Sequence, residues 1–189
     1  MKTNKRTMIS VFLLVFTLMM STACGKNEAA NGSSSNKTPA KQEKIEKMTD
    51  KEYAAWYKGY LKRFEDRIMP FFFSLVPMDN VYDKEWASEL EKKIDSLREL
   101  LSEAKENENK VPDTYKKVNS YLVKTDDKLE PVFKDIIKVT KQDKVVDDDL
   151  NFIDSRMKKA LEEMVLAKTE VSKIEDEKAK DTPKDKSKS

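Results

Sequence analysis

The sequence contains no histidine, one cysteine and three glycines among its 189 residues, and each shortage excludes a class of site. Without histidine the chain lacks the commonest general base and the commonest side-chain metal ligand. One cysteine cannot form a disulfide framework or a multi-thiolate zinc site. The glycines stand at positions 25, 32 and 59, so no glycine-rich phosphate loop or Asn-Gly hairpin turn can be built beyond residue 59.

The composition is rich in charge and poor in apolar residues. Charged residues make up 38% of the chain, compared with roughly 25% in an average soluble domain. Apolar residues also make up 38%, which is below the usual share of about 45–50%. These values favour one modest domain over a large sheet-based enzyme core. Together with the missing histidines, they predict a protein that has no cofactor or metal and is not an enzyme.

The first 24 residues have the organisation of an export sequence. Lys2, Lys5 and Arg6 precede a 13-residue apolar run, Met8 to Met20, and small residues then lead to Cys24. A helix that crosses a bilayer needs about 20 apolar residues, whereas the apolar region of a signal peptide has roughly 7–15. The run therefore predicts a signal peptide rather than a membrane-spanning helix.

The residues around the cysteine, Ser21, Thr22, Ala23 and Cys24, resemble the lipobox of bacterial lipoproteins. The resemblance implies that residues 1–23 are removed and that Cys24 is lipidated, which anchors the chain to the extracytoplasmic face of the cell membrane. A diacylglycerol group supplies the two acyl chains that stable anchoring requires. A secretory signal that leaves Cys24 free, or an uncleaved membrane anchor, is the alternative. The residues after Cys24 look like the tethers of Gram-positive lipoproteins.

The chain that follows the signal peptide is almost neutral. Subtracting the three basic residues of the signal from 37 leaves 34 Lys+Arg against 35 Asp+Glu, a net charge of −1. Binding to nucleic acid requires a basic stripe, and polybasic binding to a membrane requires a cluster of positive charge. Both modes are therefore disfavoured, and the predicted membrane contact is the lipid on Cys24.

Composition divides the rest of the chain into a tether, a body and a tail. Residues 24–47 are rich in Asn, Ser, Ala, Lys and Gly, which predicts a flexible tether. Residues 176–189 contain no large apolar residue and are predicted to form a disordered charged tail. The body, residues 48–175, carries apolar residues at steps of three and four, which is the period of a helix.

Four segments of the body have this helical period, and local features mark where some of them begin. Thr49 and Glu52 have the spacing of a capping box before the first segment. Asp83 is expected to cap the second segment, and three aspartates at 147–149 precede the fourth. Pro131 lies inside the third segment, where it predicts either a kink or a break into two helices.

The links between the four segments are short, roughly 5–7 residues, and short links make consecutive helices antiparallel neighbours. No segment shows the alternation of a β-strand beyond a few residues. The predicted fold is all-α, an antiparallel up-down four-helix bundle. In that topology the tether and the tail emerge at one end, and the first and third links lie at the end distal from the membrane.

The distal end is predicted to carry three consecutive phenylalanines. Neighbouring helical residues differ in direction by about 100°, so Phe71, Phe72 and Phe73 cannot all face the core. We predict that these three residues and Tyr82 form a surface that binds a protein partner, because aromatic side chains are effective interface anchors. A hydrophobic plug folded over the end of the bundle is the alternative interpretation.

The aromatic residues of the first helical segment permit a second hypothesis. Trp56, Tyr60, Phe64 and Leu97 could line an apolar slot that binds a small molecule or a lipid. The same aromatic stripe is otherwise ordinary core, with its polar tips near the edge, where they find partners. An enzyme that uses carboxylates alone is a third possibility. The main prediction is a membrane-anchored, non-enzymatic binding or scaffold module.

Overall fold

A computed structural model describes residues 46–75, 81–142 and 147–181 of the chain. These residues form four helices, which are α1 (Asp50–Leu75), α2 (Lys84–Glu106), α3 (Lys116–Thr140) and α4 (Asp147–Asp181). Two short 3-10 turns, Glu108–Lys110 and Asp113–Tyr115, lie between α2 and α3. No strand occurs in these three ranges, which confirms the all-α prediction. The predicted signal peptide, Cys24 and nearly all of the predicted tether lie outside the described residues.

The first helix begins at the predicted capping box. The Thr49 backbone N–H donates to Glu52 Oε2 at 2.7 Å, and the Glu52 N–H donates to Thr49 Oγ1 at 3.3 Å. The first turn of a helix leaves backbone N–H groups without a partner inside the helix. This reciprocal pair gives a partner to one of them, the Glu52 N–H, and also to the N–H of the cap residue Thr49. Its hydrogen bonds also lower the pKa of the Glu52 carboxyl, because they favour the ionised form. The capping-box prediction is confirmed.

The second helix begins at the predicted cap and is joined there to the end of α1. The Trp86 backbone N–H donates to Asp83 Oδ1 at 2.9 Å, which confirms Asp83 as the cap. The indole Nε1 of the same tryptophan donates to the Ser74 carbonyl at 2.7 Å. Trp86 therefore donates its backbone N–H to the cap of α2, and its indole N–H connects α2 to the last turn of α1.

The third helix continues through Pro131 without a break, so the alternative of two separate helices is wrong. A proline inside a helix removes one backbone hydrogen bond and introduces a steric clash that together cost about 3 kcal/mol. Around Pro131 the side chains of Leu129, Val132 and Phe133 are fully buried in the core. Their packing holds the helix together at a position where local preference opposes it.

Replacing Pro131 by alanine is expected to raise the free energy of unfolding by about 1–2 kcal/mol. The alanine restores an N–H donor for the Asp127 carbonyl, and no packing is lost because the proline side chain is exposed. Urea unfolding followed by circular dichroism measures the gain. Pro131→Gly is the control and should gain about 1 kcal/mol less, because glycine is a poorer helix former. A less stable alanine variant would contradict the expectation.

The core is apolar and draws on all four helices. Phe71 of α1 meets Phe133 of α3 edge to face, with 5.7 Å between the ring centroids. The large side chains that are fully buried include Phe64, Ile68, Leu90, Ile94, Leu97, Leu101, Leu122, Met157 and Met164. Burial of this apolar surface is the dominant stabilising contribution to a fold whose helix faces are otherwise charged.

The fourth helix extends beyond the predicted boundary between body and tail. The sequence places that boundary at residue 176, whereas α4 continues to Asp181. Lys178 Nζ lies 2.7 Å from Asp50 Oδ2 and 5.0 Å from the centroid of the Tyr115 ring. These contacts with other parts of the bundle stabilise the last turns of α4 as helix, although those turns bury no large apolar side chain. Residues 182–189 of the predicted tail lie outside the described residues.

Candidate functional site

The predicted partner-binding residues lie where α1 ends and α2 begins, and the structure divides them between core and surface. Phe71 is fully buried, because it follows Phe64 and Ile68 on the inward face of α1 at steps of four and three. Its ring packs against Phe133 of α3. Phe71 is therefore a core residue that cannot reach a partner, and it is removed from the predicted surface.

The other aromatic residues of this region remain at the surface. Phe73 is 70% exposed, and Phe72 and Tyr82 are half-buried. Val81, which the sequence analysis did not single out, directly precedes Tyr82 in the chain and is 51% exposed. We call Phe72, Phe73, Val81 and Tyr82 the tip patch. Phe73 itself is too exposed to belong to a plug that folds over the end of the bundle, and residues 76–80, which such a plug would also contain, lie outside the described residues.

The base of the tip patch is held by contacts between α1 and α2. The Tyr82 ring meets the Trp86 ring edge to face, with 5.2 Å between the centroids. Trp86 in turn donates to the Ser74 carbonyl, and Ser74 Oγ donates to the Pro70 carbonyl at 2.7 Å. The Trp86 ring is thus tied to the last turn of α1 through Ser74, and it positions the Tyr82 ring before anything binds.

Exposed apolar side chains are concentrated at this patch. Among the side chains that the structure describes, the large hydrophobic ones that are exposed are Phe73, Val81 and Leu166. Leu166 lies on α4 and is 44% exposed. Single exposed apolar residues are normal on protein surfaces, whereas a group of them indicates an interaction site. The tip patch is therefore the best candidate for a docking surface in the described part of the chain.

The residues proposed to line an interior slot are mostly core. Tyr60, Phe64 and Leu97 are fully buried, and Trp56 is half-buried. The Trp56 ring lies 5.2 Å from the Tyr60 ring and 5.1 Å from the Tyr53 ring, measured between centroids. The aromatic stripe of α1 therefore fills the interior, as the ordinary-core alternative predicts for most of these residues.

The hydroxyl groups of the buried tyrosines differ in their partners. Tyr53 donates to Asn119 Oδ1 at 3.3 Å, and Asn119 Nδ2 donates to the Ala104 carbonyl at 3.1 Å. The hydroxyls of Tyr57 and Tyr60 are buried and have no hydrogen-bond partner among the described residues. The expectation that the tyrosine hydroxyls lie near the edge is wrong for these two. The sequence analysis also missed Asn119, whose only signal is a polar residue inside the apolar stripe of α3.

Burial controls the ionisation of these tyrosines. It is the largest cause of the raised pKa of Tyr53, Tyr57 and Tyr60, because a phenolate loses its hydration in the core. Nearby acidic groups add to the effect, with Asp126 and Glu103 acting on Tyr60. At ordinary pH the three phenols are neutral groups that can donate or accept a hydrogen bond.

Replacing Tyr60 by phenylalanine is expected to leave the free energy of unfolding unchanged or to raise it by up to about 1 kcal/mol. The substitution removes a buried hydroxyl that has no partner and keeps the ring. Tyr53→Phe is the matched control and should lose about 1 kcal/mol, because its hydroxyl is hydrogen-bonded to Asn119. Equal losses in both variants would show that a bound molecule satisfies the Tyr60 hydroxyl in solution.

Within residues 46–75, 81–142 and 147–181, no cluster of three or more acidic, cysteine or histidine side chains could hold a metal ion. In the same part of the chain, no helix combines the length and the apolar character needed to cross a membrane.

No protein-family model matches this sequence, and neither a curated protein nor a solved structure resembles it at a significant level. Function is therefore inferred from the chain's own residues.

Proposed function

We propose that this protein is a lipid-anchored, extracytoplasmic helical bundle that acts as a non-enzymatic binding or scaffold module. The observation that carries the binding role is the tip patch, in which Phe73 and Val81 expose apolar surface and the Tyr82 ring is held by Trp86. Such a patch on a bundle with charged helix faces is a docking surface. The anchoring role is supported by the sequence at Cys24, where an apolar run and small residues precede the single cysteine.

We also propose that the four helices run antiparallel in an up-down arrangement. The ion pairs between each two adjacent helices support this arrangement. As the residue number rises along one helix, the number of the residue that it pairs with falls along the other. These pairs are Arg63–Glu103 with Arg67–Glu99, Lys105–Asp126 with Arg98–Glu130, Lys117–Glu170 with Lys128–Glu163, and Asp50–Lys178 with Glu65–Lys168. In this arrangement the tip patch lies at the opposite end of α1 from the predicted tether.

Cys24→Ala is expected to abolish incorporation of a labelled fatty acid into the protein and to remove the mature protein from the membrane fraction. The thiol of Cys24 is the only cysteine sulfur in the chain, so no other residue can carry a thioether-linked lipid. The measurement is metabolic labelling followed by immunoprecipitation, with Ser21→Ala as a control that keeps the thiol. Labelling that persists in the alanine variant would overturn the proposed anchor, as would an unlabelled wild-type protein.

A second candidate function is the binding of a small molecule or lipid inside the bundle. It is favoured by the buried hydroxyls of Tyr57 and Tyr60, which a polar group of a ligand would satisfy. Native mass spectrometry of protein purified from its host tests this candidate. A retained ligand that is lost in the Tyr60→Phe variant would support it, and the bare protein mass would count against it.

A further inference from the structure

We propose that the tip patch inserts into the lipid surface of the same membrane that holds Cys24. This inference rests on the proposed lipid anchor and adds to it a second, direct contact between the folded bundle and the membrane. The bundle would then lie along the membrane rather than project from it. Three properties of the described chain favour a lipid surface over a protein as the occupant of the patch.

The first property is the chemistry of the patch. Phe73 and Val81 present exposed apolar side chains, and the adjacent Tyr82 and Trp86 combine apolar rings with a polar group. Aromatic residues of this amphipathic kind are enriched at the boundary between lipid and water. The Trp86 N–H is already hydrogen-bonded to the Ser74 carbonyl, so its ring can approach lipid without an unsatisfied donor.

The second property is the small size of the patch. A stable protein–protein interface buries about 800 Å² on each partner, whereas one aromatic side chain contributes roughly 150–250 Å². Two exposed apolar side chains provide much less area than this, so a protein partner would need further contacts outside the patch. The two side chains are sufficient to hold a domain that is already at the membrane, because attachment by an anchor gives an effective concentration on the order of millimolar.

The third property is the length of chain between the anchor and the bundle. About 23 residues separate Cys24 from Met48, and at 3.3–3.6 Å per residue they can span at most roughly 75–80 Å. Helix α1 has 26 residues and is therefore about 39 Å long. The connection is longer than the distance from the start of α1 to the tip patch, so both can contact one membrane.

The charges at the border of the patch indicate how insertion depends on the charge of the lipid and on salt. Asp83 and Glu85 are acidic and Lys84 is basic, and all three are exposed. These three charges sum to −1, so they give the patch no attraction to an anionic membrane. Insertion is therefore expected in vesicles of neutral phosphatidylcholine, and it should be insensitive to salt.

The test places a photo-crosslinking diazirine amino acid at position 73 of the lipidated full chain. The protein is reconstituted in phosphatidylcholine vesicles and also illuminated in membranes of its host. Position 166 is the matched control, because Leu166 is also an exposed large apolar residue but lies on α4, whereas the patch lies at the end of α1 and just before α2. We expect lipid adducts at position 73 to exceed those at position 166 by at least about tenfold, because only the inserted probe lies among acyl chains.

The outcomes separate this inference from the function on which it rests. A chain that carries lipid on Cys24 but gives no excess of lipid adducts at position 73 overturns the insertion and leaves the anchor intact. A discrete protein adduct at position 73 in host membranes also overturns it and identifies a protein as the occupant of the patch. A chain without lipid on Cys24 refutes the anchor and the insertion together.

Discussion

Replacing Phe71 by alanine is expected to lower the free energy of unfolding by about 3–5 kcal/mol, whereas Phe73→Ala should change it by less than about 0.5 kcal/mol. The two phenylalanines are separated by one residue in the same helix. Phe71 is fully buried and packs edge to face on Phe133, so alanine leaves a cavity. Phe73 is mostly exposed, so its truncation removes little packing.

Urea unfolding of the two variants and of the unsubstituted protein, followed by circular dichroism, measures the difference. Phe73→Ala is the natural control for Phe71→Ala, because both variants lose the same atoms from the same stretch of helix. Similar destabilisation of both would show that residue 73 packs in the core and would remove the basis for the tip patch. The expected contrast would allow Phe73 to be changed in binding experiments without loss of the fold.

Alkaline pH is expected to unfold this protein cooperatively, with a fall in stability of up to about 4 kcal/mol per pH unit above pH 10. Burial raises the pKa of Tyr53, Tyr57 and Tyr60 above the usual value for a phenol. Above pH 10 the unfolded chain therefore releases three protons that the folded chain retains. Their contribution to stability is complete below the unfolded pKa and is lost as the pH rises towards the folded pKa, at about 1.4 kcal/mol per tyrosine and pH unit.

The surface charges determine the rest of the pH profile. Lys105 lies between Asp126 and Asp127, and hydrogen bonds to these carboxylates raise its pKa, so its contribution is also lost at high pH. Lys116 and Lys47 lower the pKa of the exposed Asp113 to about 2, and its contribution is lost as the pH falls through that value. Without histidine, no side chain has an unperturbed pKa near 6.5, so stability should be level between about pH 6 and 9.

Tyrosinate absorbance and circular dichroism, recorded together during an alkaline titration, test this expectation. The three buried phenols should ionise only as the helical signal is lost. Tyr60→Phe removes one of the three, so the slope of stability against pH should fall by about a third. Ionisation of all six tyrosines of the chain near pH 10, with full retention of helix, would contradict the burial of these three side chains.

The local features of the fold could be read from the sequence because they depend on residues a few positions apart. The capping box of Thr49 and Glu52, and the cap that Asp83 provides, each involve atoms within four residues along the chain. The helical class follows similarly from apolar residues repeated every three or four positions. The prediction at Cys24 is also local, and lipid labelling will decide it.

The candidate site could be located from the sequence, but its full membership could not. A run of three phenylalanines shows that at least one must leave the core, and the helical steps from Phe64 and Ile68 favour Phe71 as a core residue. The contact between Phe71 and Phe133 confirms this place in the core, whereas the exposure of Phe73 depends on how the neighbouring helices pack. Val81 was missed because a single apolar residue in a connection has no pattern of its own.

The sequence by itself determined the helical class, the first two helix starts and the approximate position of the aromatic end, since each follows from short-range periodicity or capping. Only the tertiary structure decided that α3 continues through Pro131, that α4 reaches Asp181 and that the hydroxyls of Tyr57 and Tyr60 are enclosed. Each of these features depends on neighbouring helices that come from distant parts of the chain. Packing against these helices outweighs three local preferences: that of proline to break a helix, that of a charged segment to be disordered, and that of a hydroxyl to face water.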